Sequence, residues 1–284
     1  MGMNYEEKKQ ELLKKMEAYG KQDFAVAFSG GVDSSLLLYL AVQAAEKQGH
    51  QVYALTADTV LHPSSDLEIA RKVAKSAGAV HHVVTVDELK DPAILKNPVD
   101  RCYLCKKQLF LEFFQVCREL GAACILEGSN ADDLAVYRPG IRAVRELQVD
   151  SPLAETGFTK AEVRKMAAEL GIPTASRPST PCMATRLPYG AVLEPELLRK
   201  IEQGEGFLKD LGFSNIRLRV HGEITRLELP ADALEEAVRQ REAVVRGLQE
   251  MGFRYITIDL EGFRSGSMDQ YLTEEEKQKG YGQI

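Results

Sequence analysis

Three of the five cysteines stand where thiol chemistry could take place. Cys102 and Cys105 form a C-x-x-C pair among basic residues at the start of a predicted helix, and Cys182 follows much later in a proline-rich segment. A helix N-terminus and nearby cations lower the pKa of a thiol, which favours thiolates that bind a metal or attack as nucleophiles. Cys117 shares an apolar helix face and Cys124 lies in a predicted strand, so we expect both to pack as small core side chains.

Three thiolates are compatible with several kinds of site. A structural zinc site normally has four ligands, and the only candidate for the fourth is a histidine of unknown position. A thioredoxin-type redox pair would leave Cys182 without a role, and Cys182 could also act alone. A 4Fe–4S cluster on three cysteines leaves one iron without a protein ligand, open to an exogenous sulfide. The sequence favours the cluster, with Cys102, Cys105 and Cys182 as its ligands, and the other sites stay as alternatives.

A glycine-rich loop directly follows the first predicted strand and opens the first helix after it. Its residues are Ser29, Gly30, Gly31, Val32, Asp33, Ser34 and Ser35. The glycines let the backbone approach a polyphosphate closely, and the amide groups and dipole of the helix N-terminus favour an anion there. The three serines add hydroxyl donors, and Asp33 is expected to hold Mg²⁺. The loop lacks the lysine of a Walker A motif, and it is not G-x-G-x-x-G.

The sequence SGGVDSS matches the PP-loop motif of the N-type ATP pyrophosphatases, which cleave ATP between its α and β phosphates. This resemblance implies that the loop binds the pyrophosphate of ATP while AMP is attached to a substrate oxygen. A second loop, EGSNADD at residues 127–133, follows a later strand and is expected at the same sheet edge. Within it Asp132 is predicted to contact magnesium or substrate, with a helix N-cap as the alternative. Thr56 and Asp58 end the second strand and are placed similarly for the nucleotide.

A sheet must position these loops, and the first half of the chain has the hydrophobic pattern of strands that alternate with helices. Short continuous apolar runs alternate with amphipathic segments, which is typical of an α/β fold with a parallel sheet covered by helices. The predicted strands are residues 24–28, 52–56, 82–86 and 124–127. The predicted helices are residues 34–47, 66–76, 106–120 and 159–170, the last with Thr159 and Glu162 as a capping box.

The pattern changes after a segment rich in proline. Residues 194–211 and 231–251 read as helices, 216–220 and 224–229 as a hairpin, and 255–260 as a strand. This order predicts a small α+β domain on an antiparallel sheet. We therefore expect a PP-loop domain at residues 1–175, a cysteine-bearing active-site loop or linker at 176–195, and a small substrate domain at 196–284.

Composition restricts the class of protein. The chain has 284 residues, of which 44% are hydrophobic and 27% charged, and its net charge is −6. No apolar stretch approaches the roughly 18 residues that span a bilayer, and the charged N-terminus does not resemble a signal peptide. Nucleic-acid binders usually carry a basic balance, so the acidic total disfavours that class. We expect a cytoplasmic protein that uses its cysteines for metal binding or catalysis and not for disulfides.

Along nearly the whole chain the sequence resembles the LarE family of ATP-dependent sulfur transferases. The resemblance rests on SGGVDSS, RCYLCKK, EGSNADD, YRPG, SPLAETGFTKAEVRKMA, PSTPCMATRLPYG and FRSGSMDQ, in that order. It implies that one carboxylate of pyridinium-3,5-biscarboxylic acid mononucleotide is adenylated and converted to a thiocarboxylate, for the nickel-pincer nucleotide cofactor of lactate racemase. It also implies homo-oligomers and a source of sulfide. Tyr103 would stack on the pyridinium ring, or else simply pack. Arg217 and Arg219, which alternate on a strand, would bind the mononucleotide phosphate, with a solvated strand face as the alternative.

The family has two sulfur chemistries. In one, a single cysteine gives up its own sulfur and becomes dehydroalanine, and Cys182 matches that cysteine. In the other, three cysteines hold an iron–sulfur cluster, and Cys102 with Cys105 are what that class adds. The nearest rival is a tRNA thiolase with the same cluster chemistry, but no RNA-binding module is recognisable. An amidotransferase-type synthetase would leave the three cysteines unexplained, and a non-catalytic nucleotide sensor would bind ATP without releasing pyrophosphate.

Overall fold

A parallel sheet of four strands forms the centre of the N-terminal half, in the order β3-β2-β1-β4. The strands are β1 Phe24–Ala27, β2 Val52–Asp58, β3 Val80–Thr85 and β4 Ile125–Leu126. The structure is a computed structural model that describes residues 3–264, 266–270 and 272–281. Met1 and Gly2 of the N-terminal sequence and Ser265 of the FRSGSMDQ motif lie outside these ranges. The parallel pairing confirms the predicted α/β class.

Helices pack on both faces of this sheet. The helices of this half are α1 Tyr5–Tyr19, α2 Val32–Glu46, α3 Ser64–Ala77, α4 Pro92–Leu95, α5 Arg101–Leu120, α6 Gly140–Glu146, α7 Pro152–Glu155 and α8 Lys160–Glu169. The short α4 is the exception, because its Ile94 packs in the core of the C-terminal part. Successive strand residues alternate between two cores, since Phe24 and Val26 pack with α1, α2 and α8 while Ala25 packs with α5 and α6. The predicted capping box of α8, Thr159 with Glu162, is present. None of the helices in the described ranges has both the length and the apolar composition of a membrane span.

A second, three-stranded sheet lies in the C-terminal part, in the order β5-β6-β7. Its strands are β5 Arg217–His221, β6 Ile224–Glu228 and β7 Tyr255–Ile258, with helices α9 Pro195–Asp210, α10 Leu234–Arg239, α11 Arg241–Glu250 and α12 Glu274–Tyr281. β5 and β6 form the predicted hairpin, but β7 pairs parallel with β6, so the expected purely antiparallel sheet is wrong. The chain crosses over through α10 and α11 and therefore enters β7 in the same direction as β6. The helix expected at 231–251 is interrupted at Gln240.

The segment that carries Cys182 is anchored in the second core. It forms a 3₁₀ turn, Met183–Arg186, in which Met183 and Ala184 are fully buried. The amide of Met183 donates to the carbonyl of Leu61 at 2.8 Å, which ties the turn to the loop after β2. The turn therefore holds Cys182 at a fixed place against the second core.

Candidate functional site

A cavity of ≈ 590 Å³ opens at the carboxyl ends of β1, β2 and β4. This is the edge at which open α/β sheets bind ligands. Six of the predicted nucleotide contacts line it: Ser29, Gly31, Asp33, Ser34, Thr56 and Asp58. Gly30, Ser35 and Asp132 are not among the described residues that line the cavity.

The phosphate loop has the backbone that anion binding requires. Gly30 has a φ of +72°, and a Cβ added there would lie 3.2 Å from the amide nitrogen of Ala70, so only glycine fits without strain. Gly31 is the N-cap of α2 and has no side chain that accepts from the helix amides. The first amide groups of α2 are therefore available to a ligand. The Ser34 hydroxyl donates to the Gly31 carbonyl at 3.2 Å and fixes the loop.

Asp33, the predicted magnesium ligand, joins three segments. Its carboxylate accepts a hydrogen bond from Asn130 Nδ2 at 3.0 Å and forms an ion pair with Lys160 at the start of α8. Asp132 instead accepts from the backbone amide of Lys160 at 2.8 Å. Asn130, and not Asp132, caps the turn that follows. Asp132 is thus placed to hold α8 beside the cavity, and the carboxylates of this loop that line it are Glu127 and Asp133.

Thr56 and Asp58 end β2 at the cavity, but in different roles. The hydroxyl of Thr56 is buried, donates to the carbonyl of Phe28 at 2.7 Å and lies 2.9 Å from Nε2 of His81. It therefore ties β2 to its neighbouring strands. Asp58 is exposed at the cavity wall, where a nucleotide can reach it.

The cations of the cavity were not identified from the sequence. They are Lys106, Arg138, Lys160, Arg164, Arg177 and Arg199. Lys106 follows Cys105 directly and pairs with the buried carboxylate of Glu127 at 3.0 Å. Burial alone raises the pKa of Glu127, but the charge of Lys106 and hydrogen bonds from Ser151 and Ser129 outweigh it and lower the pKa. The sequence signal that could have pointed to Lys106 is its position directly after the second cysteine of C-x-x-C.

Arg177 connects the Cys182 segment to the phosphate loop. Its Nη1 donates to the carbonyl of Gly30 at 2.8 Å, and its Nη2 pairs with Asp66 of α3 at 2.6 Å. The carbonyl of Arg177 in turn accepts from Arg164 at 2.9 Å. The proline-rich segment is therefore held against the nucleotide cavity at one end.

Arg101 contacts one of the three candidate cysteines and acts electrostatically on the other two. Nη2 of Arg101 donates to Sγ of Cys102 at 3.5 Å, and the charge of Arg101 acts on the thiols of Cys105 and Cys182. Burial raises the pKa of both thiols by more than Arg101 lowers it, so the lowering expected for the C-x-x-C pair is wrong for Cys105. Cys102 is exposed. Within the described residues, no three histidine, cysteine or acidic side chains are close enough together to hold a metal ion.

Cys117 and Cys124 pack in the core, as predicted. Cys117 is buried among the side chains of α5 and β4, and Cys124 packs against the core of α1 and α2. Burial raises the pKa of Cys117 to about 12 and that of Cys124 to about 11. Both are inert thiols at neutral pH.

The predicted substrate residues lie outside the nucleotide cavity. Tyr103 is buried, donates to Glu146 at 2.7 Å, and carries the guanidinium of Arg142 at 4.0 Å over its ring. One face of that ring is therefore occupied by a cation. Arg219 pairs with Glu228 at 2.6 Å and donates to the carbonyl of Thr185 in the turn after Cys182. The arginine pair thus borders the Cys182 turn.

Arg217 has no carboxylate partner in the described part of the chain. It lies over the ring of Phe263 at 4.8 Å, and its buried Nε lacks a hydrogen-bond acceptor. Burial, together with the charge of Arg186, lowers the pKa of Arg217 to about 10. A buried cation in this state is suited to an anionic ligand.

Comparison with known proteins matches the first half of the chain to a domain family and nearly the whole chain to individual proteins. Residues 3–136 match the PP-loop domain family. The chain is 36% identical over 258 residues to an uncharacterised protein of Synechocystis sp., covering 90% of this chain and 95% of that protein. It is 35% identical over 252 residues to pyridinium-3,5-bisthiocarboxylic acid mononucleotide synthase of Lactiplantibacillus plantarum, covering 89% and 91%. A tRNA-specific 2-thiouridylase of Rickettsia felis is 26% identical over an alignment of 194 residues, and the match covers 55% of this chain and 52% of that enzyme.

Proposed function

Because this chain belongs to the LarE family of PP-loop enzymes, we propose that it transfers sulfur to pyridinium-3,5-biscarboxylic acid mononucleotide at the expense of ATP. A substrate carboxylate attacks the α-phosphorus of ATP, which forms an acyl-adenylate and releases pyrophosphate. Sulfide then displaces AMP and leaves a thiocarboxylate, in the synthesis of the nickel-pincer nucleotide cofactor. The observation that carries the proposal is the similarity to the synthase over 89% of the chain. The similar region includes Cys182 and the C-terminal part with the three-stranded sheet.

The residues of the nucleotide cavity fit the activation half of this reaction. Gly30 and Gly31 present the free amides of α2 to the pyrophosphate, and Lys106 and Lys160 stand near to neutralise its charge. Mg²⁺ is usually held by one or two carboxylates together with the substrate phosphates, and Asp33 on the cavity wall provides one. Bound there, Mg²⁺ would neutralise phosphate charge. Lys160, released from Asp33, is then free to contact a phosphate.

The cysteine site fits the sulfur half by its donor chemistry. Cys102, Cys105 and Cys182 supply thiols, the ligands that iron–sulfur clusters use, and the Cys102 sulfur lies 3.5 Å from the buried guanidinium of Arg101. A cluster of four irons is wider than one ion, so its ligands need not stand as close as those of a single metal. We propose that Cys102, Cys105 and Cys182 hold a 4Fe–4S cluster, whose chemistry when bound is to carry a sulfide on its open iron. The family resemblance further supports a sulfide donor as partner and a homo-oligomeric protein.

The competing substrate is tRNA. The similarity to the thiouridylase covers about half of each chain, whereas the similarity to the mononucleotide synthase covers nearly all of both. The net charge of −6 also disfavours a long phosphate backbone. The mononucleotide is therefore the proposed substrate.

A second alternative concerns the source of the sulfur. In it, Cys182 gives up its own sulfur and the other two cysteines have no part in the transfer.

The test is a set of cysteine variants purified without oxygen. For the wild type we expect iron, acid-labile sulfide, substrate-dependent release of AMP and pyrophosphate, and a thiocarboxylate product detected by mass. Cys102→Ser, Cys105→Ser and Cys182→Ser should each lose the cluster and the transfer but keep adenylation. Cys117→Ala and Cys124→Ala are the matched controls and should keep both.

Two outcomes would contradict the proposal. A loss of one H₂S from the mass of the wild-type chain, with full transfer in a Cys102→Ser, Cys105→Ser double variant, would show sacrificial donation from Cys182. Thiolation of tRNA in place of the mononucleotide would show the other substrate class.

A further inference from the structure

Arg101 is among the most buried side chains of the protein, with 2% of its surface exposed. Its Nη2 donates to Sγ of Cys102 at 3.5 Å, and its Nη1 donates to Oδ1 of Asn97. No carboxylate in the described ranges lies within ion-pair distance of it. Taking an unpaired cation out of water costs several kcal/mol, so a buried arginine normally has an acidic partner.

The other buried arginines show what such a partner looks like. Arg186, 1% exposed, is held by both oxygens of Glu205 at 2.8 and 2.9 Å, and Arg219 pairs with Glu228. Arg217 lacks an acid, and burial lowers its pKa accordingly. Arg101 also lacks one: its described side-chain hydrogen bonds go to the Cys102 sulfur and to the amide oxygen of Asn97. Cys105 lies one helical turn after Cys102 on α5, and both Cys105 and Cys182 pack against the second core.

Asn97 fixes the direction of the guanidinium. It is fully buried with a left-handed φ of 49°, and its Nδ2 donates to the carbonyl of Pro188 at 2.8 Å. Pro188 belongs to the segment that continues from the Cys182 turn. Asn97 therefore holds Arg101 between the helix of Cys102 and Cys105 and the segment of Cys182. The N-terminal end of α5 adds positive potential on the same side.

We infer that Arg101 is a positioning residue whose buried positive charge compensates the negative charge of the ligand set assembled on Cys102, Cys105 and Cys182. The inference rests on the proposed function, because the anionic set is the three thiolates with the cluster that they hold. In the cluster-free protein, no acidic side chain of the described ranges forms an ion pair with Arg101. Its charge should therefore favour cluster binding, and it should favour the reduced, more negative cluster over the oxidised one.

The experiment compares three variants with the wild type. Arg101→Met removes the charge and keeps an unbranched apolar stem, and Arg101→Lys keeps the charge. Lys107→Met is the matched control, because Lys107 belongs to the same basic motif but pairs with Glu146, away from the thiols. Each protein is reconstituted without oxygen, assayed for iron and acid-labile sulfide, and titrated electrochemically. The cluster-free forms are compared by thermal unfolding.

We expect Arg101→Met either to bind less cluster or to bind one that is harder to reduce. A tenfold loss of preference for the reduced form shifts the midpoint negative by about 59 mV for one electron. Arg101→Lys should restore most of both properties, and Lys107→Met should match the wild type. Cluster-free Arg101→Met should be at least as stable as the wild type, since it loses an uncompensated buried charge.

Equal cluster content and potential in Arg101→Met and Lys107→Met would overturn the inference and leave the proposed function intact. A cluster-free Arg101→Met that unfolds well below the wild type would also overturn it, because the arginine would then be a structural residue. Absence of iron and sulfide from the reconstituted wild type would overturn the cluster proposal itself, and this inference with it.

Discussion

Replacing Glu127 with glutamine tests how the nucleotide cavity and the cysteine helix are joined. Glu127 follows β4, is 5% exposed, and receives four hydrogen bonds. Oε1 accepts from the Ser129 amide at 3.0 Å and from the Ser151 hydroxyl, and Oε2 accepts from the Ser129 hydroxyl at 2.9 Å and from Lys106 at 3.0 Å. Glutamine keeps the shape but only one accepting oxygen, so two of the four donors lose their bond to a carboxylate oxygen.

The magnitude follows from the number and type of these bonds. Two hydrogen bonds to a charged group, at about 1.5–3 kcal/mol each, set an upper limit of about 6 kcal/mol. The Lys106 side chain is 29% exposed and regains water once released. We therefore expect Glu127→Gln to lower the free energy of unfolding by about 2–3 kcal/mol at neutral pH.

The effect should depend on pH in a fixed direction. The folded pKa of Glu127 is lowered relative to the unfolded chain, so its ionised form stabilises the fold above about pH 4.3. That contribution is lost as the pH falls through the folded pKa. The difference between wild type and Glu127→Gln should therefore be largest at neutral pH and shrink in acid.

Urea unfolding measures this difference. It is followed by far-UV circular dichroism because the chain has no tryptophan whose fluorescence could report unfolding. Glu112→Gln, an exposed glutamate on α5, is the control and should change stability by less than about 0.5 kcal/mol. If Glu127→Gln matches this control at neutral pH, or differs from wild type equally at all pH values, the role assigned to Glu127 is wrong.

Three further predictions concern ligand binding. Asp33→Asn should abolish substrate-dependent release of AMP and pyrophosphate while circular dichroism stays unchanged; turnover at the wild-type rate would refute the phosphate-loop assignment. Gly128→Ala should weaken ATP binding in calorimetry, because the new Cβ would lie 2.9 Å from the Ser34 amide nitrogen, whereas Gly206→Ala meets open space and should not. Arg217→Met should raise the Kd for the mononucleotide about tenfold or more, the value of one charge-assisted contact, and leave ATP binding unchanged. Wild-type binding of that substrate should weaken as pH rises through the Arg217 pKa of about 10, and an unchanged Kd in Arg217→Met would exclude the contact.

The N-terminal fold could be predicted because its signals are local. The strand Phe24–Ala27 is a continuous apolar run, and the start of α8 is fixed by side chains three residues apart, Thr159 and Glu162. The phosphate loop follows from the same reasoning, since Gly30 needs its positive φ wherever the strand turns into α2. Local patterns of this kind place the loops at one sheet edge before any tertiary contact is known.

Properties that depend on tertiary packing could not be predicted. Cations beside Cys105 suggested a lowered thiol pKa, but burial by the second core acts more strongly in the opposite direction. The ring of Tyr103 is covered by Arg142, which is distant in sequence and belongs to a helix that was not predicted. β7 joins β6 in parallel because of the crossover through α10 and α11, and no residue within β7 specifies that direction.

The two candidate sites share two chain segments, and this sharing gives a physical reason for joining activation to sulfur transfer. On α5, Cys105 is one of the three candidate cluster ligands, and the next residue, Lys106, lines the nucleotide cavity. On the proline-rich segment, Arg177 donates a hydrogen bond to the carbonyl of Gly30. Cys182, another of the candidate ligands, lies a few residues further on. A phosphate that moved Lys106 or Arg177 would therefore also act on a segment that carries a cysteine. In the proposed reaction, an acyl-adenylate formed at the cavity would lie beside residues of both segments.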